Sequence, residues 1–374
     1  MSNLYFHYPF CKQACHYCNF HFSTKTQESE RLWKAMLTEL KLRRQELQLP
    51  LESLYFGGGS PSLLPPNKLE ALFNHLYKEY KMGSDIEITL EVNPDDVTKD
   101  YLSALKSVGI NRISLGLQSF YDRDLKLMNR VHSSDQALKA LEFTSGLFSN
   151  FSLDLIYGMP YSSLLEWEQN LNTVMHYNPP HLSAYALTVE EATVLDRQVK
   201  KGEILLLPEE GVQEQYELLL EKTEKGGFIN YEFSNFGKPN YFSINNQNYW
   251  QGKPYLGIGP GAHSYDGHAL RKWNISNNPL YIKAIEARKL PLKEEKLSTK
   301  DRYNEYIMTG LRTIYGVSVA HIKNTFGTRY AQYLEEQAAR HFSDHNLYWD
   351  GDCLKVTKKA KFLTDGLAAD LFFI

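Results

Sequence analysis

Between residue 3 and about residue 190 the chain carries six short β-rich runs: NLYFHY, SLYF, IEITLE, RISLGL, SLDLIYG and HLSAYAL. Each but the last is followed by a helix-like stretch, such as 27–48, 67–80 or 163–176. Strands that alternate with helices in this way pair in parallel through right-handed crossovers. The expected core is a parallel sheet, either open and doubly wound or curled into a complete or partial barrel, and periodicity alone does not choose. In either arrangement ligands gather at the carboxyl ends of the strands. The distinctive residues fall there: Cys11, Gly57 to Ser60, Glu91, Gln118 and Asp154.

Residues 191–277 are less regular, with a helix expected at 208–224 and then a Gly-, Asn- and Tyr-rich stretch expected to form loops and short strands that close one side of the sheet. From about 278 the pattern changes to charged amphipathic helices around 279–288, 299–314, 318–325 and 328–341. A hairpin, LYWDGDCLKV, follows with Asp350-Gly351 as its turn, then a last helix from about 358. The expected division is a core at 1–190, an extension closing it at 191–277, and a helical, winged-helix-like domain at 278–374.

At 374 residues and 43% hydrophobic content the chain can fill sizeable cores. A formal net charge of -3 argues against a general nucleic-acid-binding surface. No run approaches the roughly 20 apolar residues that span a bilayer, and the N-terminus has no signal-peptide pattern, so a cytoplasmic protein is expected. In a reducing compartment clustered cysteines bind metal or do redox chemistry more often than they form disulfides.

HYPFCKQACHYCNF, residues 7–20, holds three of the four cysteines: Cys11, Cys15 and Cys18. Thiolates at this Cys-x3-Cys-x2-Cys spacing suit an iron–sulfur cluster, zinc or copper. Three ligands leave a tetrahedral centre one short. A structural zinc would take its fourth from His7, His16 or His21, whereas a 4Fe-4S cluster would keep one iron open for chemistry. Cys353, on the expected hairpin, reads as an ordinary buried thiol.

Downstream, FGGGSPS (56–62) ends the second strand and offers backbone that no Cβ crowds, so that a ligand can approach closely. Glu91 in TLEVNP, Gln118 in GLQSF, Arg130 in MNRVH and Asp154 in LDLIYGMP follow or end strands, which brings acceptors, an amide and a guanidinium to one pocket.

The three-cysteine loop resembles the signature of radical S-adenosylmethionine (SAM) enzymes. The order Tyr5, three Cys, GGGSP, Glu91, Gln118, Arg130, Asp154 is similar, residue by residue, to their coproporphyrinogen-oxidase-like branch. The resemblance runs from residue 4 to about 265 and again from about 290. It implies a partial (β/α)6 barrel with a helical C-terminal domain and a 4Fe-4S cluster on Cys11, Cys15 and Cys18. It also implies a SAM site made by Tyr5, Tyr17, Gly58, Gly59, Ser60, Glu91, Gln118, Arg130 and Asp154. Reductive cleavage of SAM to a 5'-deoxyadenosyl radical would be the cofactor chemistry.

Within that branch the chain resembles the HemW heme chaperones more than the oxygen-independent coproporphyrinogen III oxidases. Only ten residues precede Cys11, where the oxidases have a long extension. Phe20 stands where the oxidases carry a further cysteine. NNQNYW resembles the heme-linked HNxxYW motif of HemW, with Asn246, Tyr249 and Trp250 matching and Asn245 at the histidine. A carboxamide is a poor axial donor to heme iron, so His263 in GPGAHSY, His268 or apolar stacking are the other routes to heme. The implied partners are heme or a porphyrin and heme-recipient proteins. The alternatives are a coproporphyrinogen III oxidase or another radical SAM tetrapyrrole enzyme.

Overall fold

The computed structural model describes residues 2–374. Six parallel strands form its centre: β1 (Asn3–Tyr8), β2 (Leu51–Gly58), β3 (Met82–Val92), β4 (Arg112–Gln118), β5 (Phe151–Tyr157) and β6 (His181–Ala186). They pair in sequence order, β1 to β6, each in parallel with the next. The long helices between them are Ser29–Leu42, Pro66–Glu79, Lys99–Val108, Ser134–Leu147 and Leu164–Tyr177. This is the partial (β/α)6 barrel expected from the alternation and the resemblance together.

Side chains alternate along each strand, and here the alternation explains both the core and the site. Leu4 and Phe6, Leu54 and Phe56, Ile88 and Leu90, Ile113 and Leu115, Leu153 and Leu155, and Leu182 point to the helices and are buried. Phe6 stacks on Phe56 with ring centroids 5.2 Å apart. Each such side chain contributes about 1.5–3 kcal/mol through burial. The intervening residues are polar on every strand, among them Tyr5, His7, Tyr55, Glu91, Ser114, Asp154 and Ser183. The barrel therefore has a greasy outside and a polar inside.

The short strands of the stretch expected to close one side of the sheet extend it at both ends. β7 (Ile229–Glu232) and β8 (Asn235–Gly237) add antiparallel beside β6, while β9 (Tyr255–Ile258) pairs in parallel with β1. β10 (His263–Tyr265), β11 (Leu270–Asn274) and β12 (Leu292–Lys296) continue antiparallel from β9. A buried polar network ties this extension to the first long helix. Glu39 accepts from Arg43 at 3.1 Å, the Gly259 N–H at 2.9 Å, Asn274 at 2.8 Å and the Tyr281 hydroxyl at 2.6 Å.

Packing runs on across residue 278, where a division was expected. Tyr281, Ile282 and Ile285 of the helix Asn278–Glu286 join the barrel core, and β12 is the last strand of the large sheet. A second core is built from residues between Tyr303 and Leu371. It carries β13 (Val317–Ser318), β14 (Leu347–Asp350) and β15 (Cys353–Val356) in the order β13-β15-β14. Helices Thr299–Leu311, Val319–Thr325 and Thr328–Ala338 complete the winged-helix-like order of helix, strand, helix, helix, strand, strand. Cys353 lies on β15 and is partly buried.

Candidate functional site

The cysteine loop leaves β1 and is clamped where it begins. Cys11 N–H donates to Ser23 O at 3.1 Å, and Ser23 N–H to Pro9 O at 2.6 Å. From the neighbouring strand, Gly59 N–H donates to Tyr8 O at 2.8 Å and Ser60 N–H to Phe10 O at 2.7 Å. Further along, His16 N–H reaches Met128 O at 3.1 Å, and His16 O accepts from Leu195 N–H at 2.9 Å. The loop is thus held by backbone bonds from four separate segments.

The glycines earn a different explanation from the one their sequence suggests. A Cβ on Gly59 would lie 2.7 Å from Phe10 O and 3.0 Å from the Cys11 thiol, and Gly58 has φ +109° with His7 pressed against it. The N–H groups of Gly59 and Ser60 are occupied by the cysteine loop, and that of Gly58 donates to the Glu91 carboxylate. The motif seats the cysteine loop against β2, and its Ser60 hydroxyl lies beside the site, where it accepts from Asn93 at 2.8 Å and hydrogen-bonds the Cys11 thiol.

Cys11, Cys15 and Cys18 line a cavity of about 510 Å³ at the carboxyl ends of the strands. Tyr17, Gly58, Gly59, Ser60, Glu91, Gln118, Arg130 and Asp154 line the same cavity, and Asn246 reaches it as well. Tyr5 does not. Its hydroxyl meets His7 Nδ1 at 3.2 Å, its ring stacks on Tyr55 with centroids 6.0 Å apart, and it lines a second cavity.

Charge and burial set the chemistry of the first cavity. Arg130 lies 3.5 Å from the Cys15 thiol through Nη1, while Nη2 donates to Asn93 Oδ1 at 2.8 Å and Gly116 O at 3.1 Å. Its Nε is buried with no acceptor among the described residues. Burial pushes the Cys11 thiol up to about 11 and raises that of Cys18. Burial likewise pushes the Glu91 carboxyl up to about 7, opposed by hydrogen bonds from the Tyr55 hydroxyl, at 2.9 Å, and Gly58 N–H. Asp154, also raised by burial, accepts from Ser114 at 3.1 Å and Ser152 at 3.3 Å. Gln118 ends β4 with a left-handed φ of 69°, a strained conformation for a non-glycine that clusters at binding sites.

The histidines near the loop are engaged elsewhere. His7 meets Tyr5 through Nδ1 and the His21 carbonyl through Nε2, His16 Nδ1 meets Leu127 O, and His21 Nε2 meets Asn278. The three lie outside the lining of the thiol cavity. Among the described residues no trio of His, Cys, Asp or Glu converges on a single-ion site. A four-iron cube, by contrast, takes its thiolates at three separate corners, and three part-buried thiols on one pinned loop beside a guanidinium fit that donor set.

Several lining residues were not anticipated: Asn93, Arg112, Ser114 and Tyr185. Strand alternation held the signal for three of them. Asn93 is two residues beyond Glu91, Arg112 and Ser114 precede Gly116 and Gln118 at the same spacing, and each shares a face with a residue already singled out.

The NNQNYW stretch forms the helix Ile244–Trp250, which is tied to β3 and β1. Ile244 and Asn245 donate their N–H groups to Glu87 at 3.1 and 3.2 Å, and Asn248 donates to Asn3 at 2.6 Å. Asn245 is only 3% exposed, hydrogen-bonds Tyr249 and lines neither cavity. Tyr249, Trp250 and His263 line the second cavity with Tyr5.

The Radical SAM superfamily model matches residues 5–174, and the HemN C-terminal domain model matches residues 297–363. A Bacillus subtilis protein named heme chaperone HemW is 34% identical over 90% of this chain and 88% of its own length. One of that name from Lactococcus lactis is 31% identical over 98% of both. Among solved structures, Escherichia coli coproporphyrinogen III oxidase (HemN) superposes with a TM-score of 0.84 at 20% identity, covering 99% of this chain and 89% of that one, which establishes the shared fold. With the cysteine loop, barrel and C-terminal body all matched by relatives of this similarity, the chain belongs to the HemW family of radical SAM proteins.

Proposed function

We propose that this chain binds a 4Fe-4S cluster and SAM in the first cavity and handles heme as a chaperone for heme-dependent proteins. The observation that carries the cofactor reading is the convergence of three thiols with Arg130, Glu91, Gln118 and Asp154 on one cavity. The chaperone reading is supported by the relatives' printed name and by their coverage of the chain.

Cys11, Cys15 and Cys18 would hold three irons and leave the fourth to SAM, and the bound pair would supply reductive cleavage of the sulfonium. The residues of the chain do the positioning. Arg130 lines the cavity, and its guanidinium suits the carboxylate of SAM. Glu91 and Asp154 are acceptors for a ribose diol or an ammonium group, and Tyr17 covers the cavity wall against Leu125, Met128, Ile156 and Met159. Ser60 and Asn93 hold Arg130 and the Cys11 thiol in one hydrogen-bonded row.

A cytoplasmic setting, where thiols stay reduced, suits four unpaired cysteines. No helix among the described residues is long and apolar enough to cross a membrane.

Heme handling and porphyrinogen oxidation are separated by one assay. The reconstituted protein, reduced without oxygen and given SAM and coproporphyrinogen III, is expected to form no protoporphyrinogen IX while transferring bound heme to an apo-heme protein. Turnover to protoporphyrinogen IX would overturn the chaperone reading in favour of the oxidase.

A further inference from the structure

The second cavity, about 880 Å³, opens between strands β9 to β11 and the helices Thr299–Leu311 and Val319–Thr325. Its volume lies within the roughly 300–1,000 Å³ typical of cofactor-sized ligands. It meets the thiol cavity along one wall, because Asn19 and Phe20 line both. Phe20 is 68% exposed, a large apolar ring left uncovered next to the cluster loop. Trp250 and Phe326 face the same space from the barrel and from the C-terminal body.

Its two arginines differ. Arg271 is neutralised by a two-pronged pair with Glu305, Nη1 to Oε1 at 3.0 Å and Nη2 to Oε2 at 3.0 Å. Arg302 has no carboxylate partner among the described residues, and its guanidinium lies 5.6 Å above the Phe326 ring. A flat aromatic anion is the ligand that such a pairing accepts, with its carboxylate on Arg302 and its ring plane against the aromatic walls.

The imidazoles differ in the same way. His7 and His21 have ring nitrogens committed to other groups, and His321 Nε2 lies 3.4 Å from the Thr325 hydroxyl. His263 has neither ring nitrogen hydrogen-bonded among the described residues, yet its ring is oriented by stacking on Trp273, centroids 5.8 Å apart and 17° from parallel. It sits on β10, a paired strand, whereas His268 lies in the turn that follows. A free nitrogen on a rigid element is what axial ligation to a metal requires.

We infer that heme binds in this second cavity, its iron taken by His263 and a propionate by Arg302, with Phe20 between the heme and the SAM site. This rests on the heme-handling reading above and deepens it. The C-terminal body becomes one wall of the binding site, and Asn245 is relieved of the role that its motif position suggests.

The test is a titration of the cluster-loaded protein with hemin and, separately, with iron-free protoporphyrin IX, using Arg302→Gln and His263→Ala beside the parent. R302Q is expected to weaken both ligands on the order of tenfold, as the loss of one charge-assisted bond implies. H263A is expected to shift the Soret band and weaken hemin while leaving protoporphyrin IX unchanged. Both variants should keep the parent's iron content and SAM affinity, which shows that they fold. Parent-like hemin affinity and Soret position in both variants would overturn the placement, while a parent that binds no hemin would overturn the heme-handling reading itself.

Discussion

Glu91 illustrates how one residue can be tuned for binding at the expense of stability. Its carboxyl titrates at about 7 in the folded protein, against an ordinary value of 4.5, because burial disfavours the charge. Below pH 4.5 it is protonated in both folded and unfolded chains. As pH rises towards 7 the unfolded chain loses that proton while the folded chain retains it, so folding stability falls through this window and stays lowered above it. Glu91→Gln removes the dependence. In denaturant titrations of the cluster-free protein, the variant should gain up to roughly 3 kcal/mol relative to the parent between pH 4.5 and 8. An equal stability difference at the two pH values would mean that Glu91 is not held protonated. Asn245 makes the opposite case. Because it is buried and lines neither cavity, Asn245→His should supply no heme ligand and should cost about 1–3 kcal/mol through overpacking. A hemin spectrum that acquires an additional axial ligand in this variant would contradict the placement.

At the scale of elements, the cysteine loop depends on the strand beside it as much as on its own residues. Gly59 admits the Phe10 carbonyl and the Cys11 thiol into space that a methyl group would fill, at 2.7 and 3.0 Å. Gly59→Ala should therefore displace the loop and lower the iron incorporated on reconstitution, with the barrel's circular dichroism little changed; parent-like iron content would show that the loop tolerates the methyl. The β-rich runs were legible because their alternation carries two messages, apolar towards the helices and polar towards the interior. β9 was not. Its PYLGIGPG setting is rich in glycine and proline, and the four residues Tyr255–Ile258 become a strand only because β1 offers its free edge. The helix Asn278–Glu286 was legible as a helix, but amphipathic pattern identifies a buried face without saying what buries it. Here the answer lies in Glu39, more than 200 positions away in sequence.

Across the whole molecule, two cavities share a wall at the end of the cysteine loop. One gathers thiols, carboxylates and a guanidinium at the carboxyl ends of the strands, and the other gathers aromatics, an arginine with no carboxylate partner and an imidazole with no hydrogen bond among the described residues, between the barrel and the C-terminal body. The first was largely readable from motif order, because strand ends in this architecture converge whatever the intervening helices do. The second was not, because its walls come from segments near residues 20, 250, 263, 302 and 326 that only the tertiary fold assembles. Tyr5 marks the seam: grouped by sequence with the SAM residues, it faces the other cavity.

The central claim is that three thiolates leave one iron open to SAM in the first cavity. It is tested most directly by electron paramagnetic resonance of the reconstituted, reduced protein. Addition of SAM should change the g-values of the cluster signal in the parent, and Cys15→Ala should lose the signal altogether. A parent spectrum that SAM leaves unchanged, despite measurable SAM binding, would contradict the open iron and with it this account of the site.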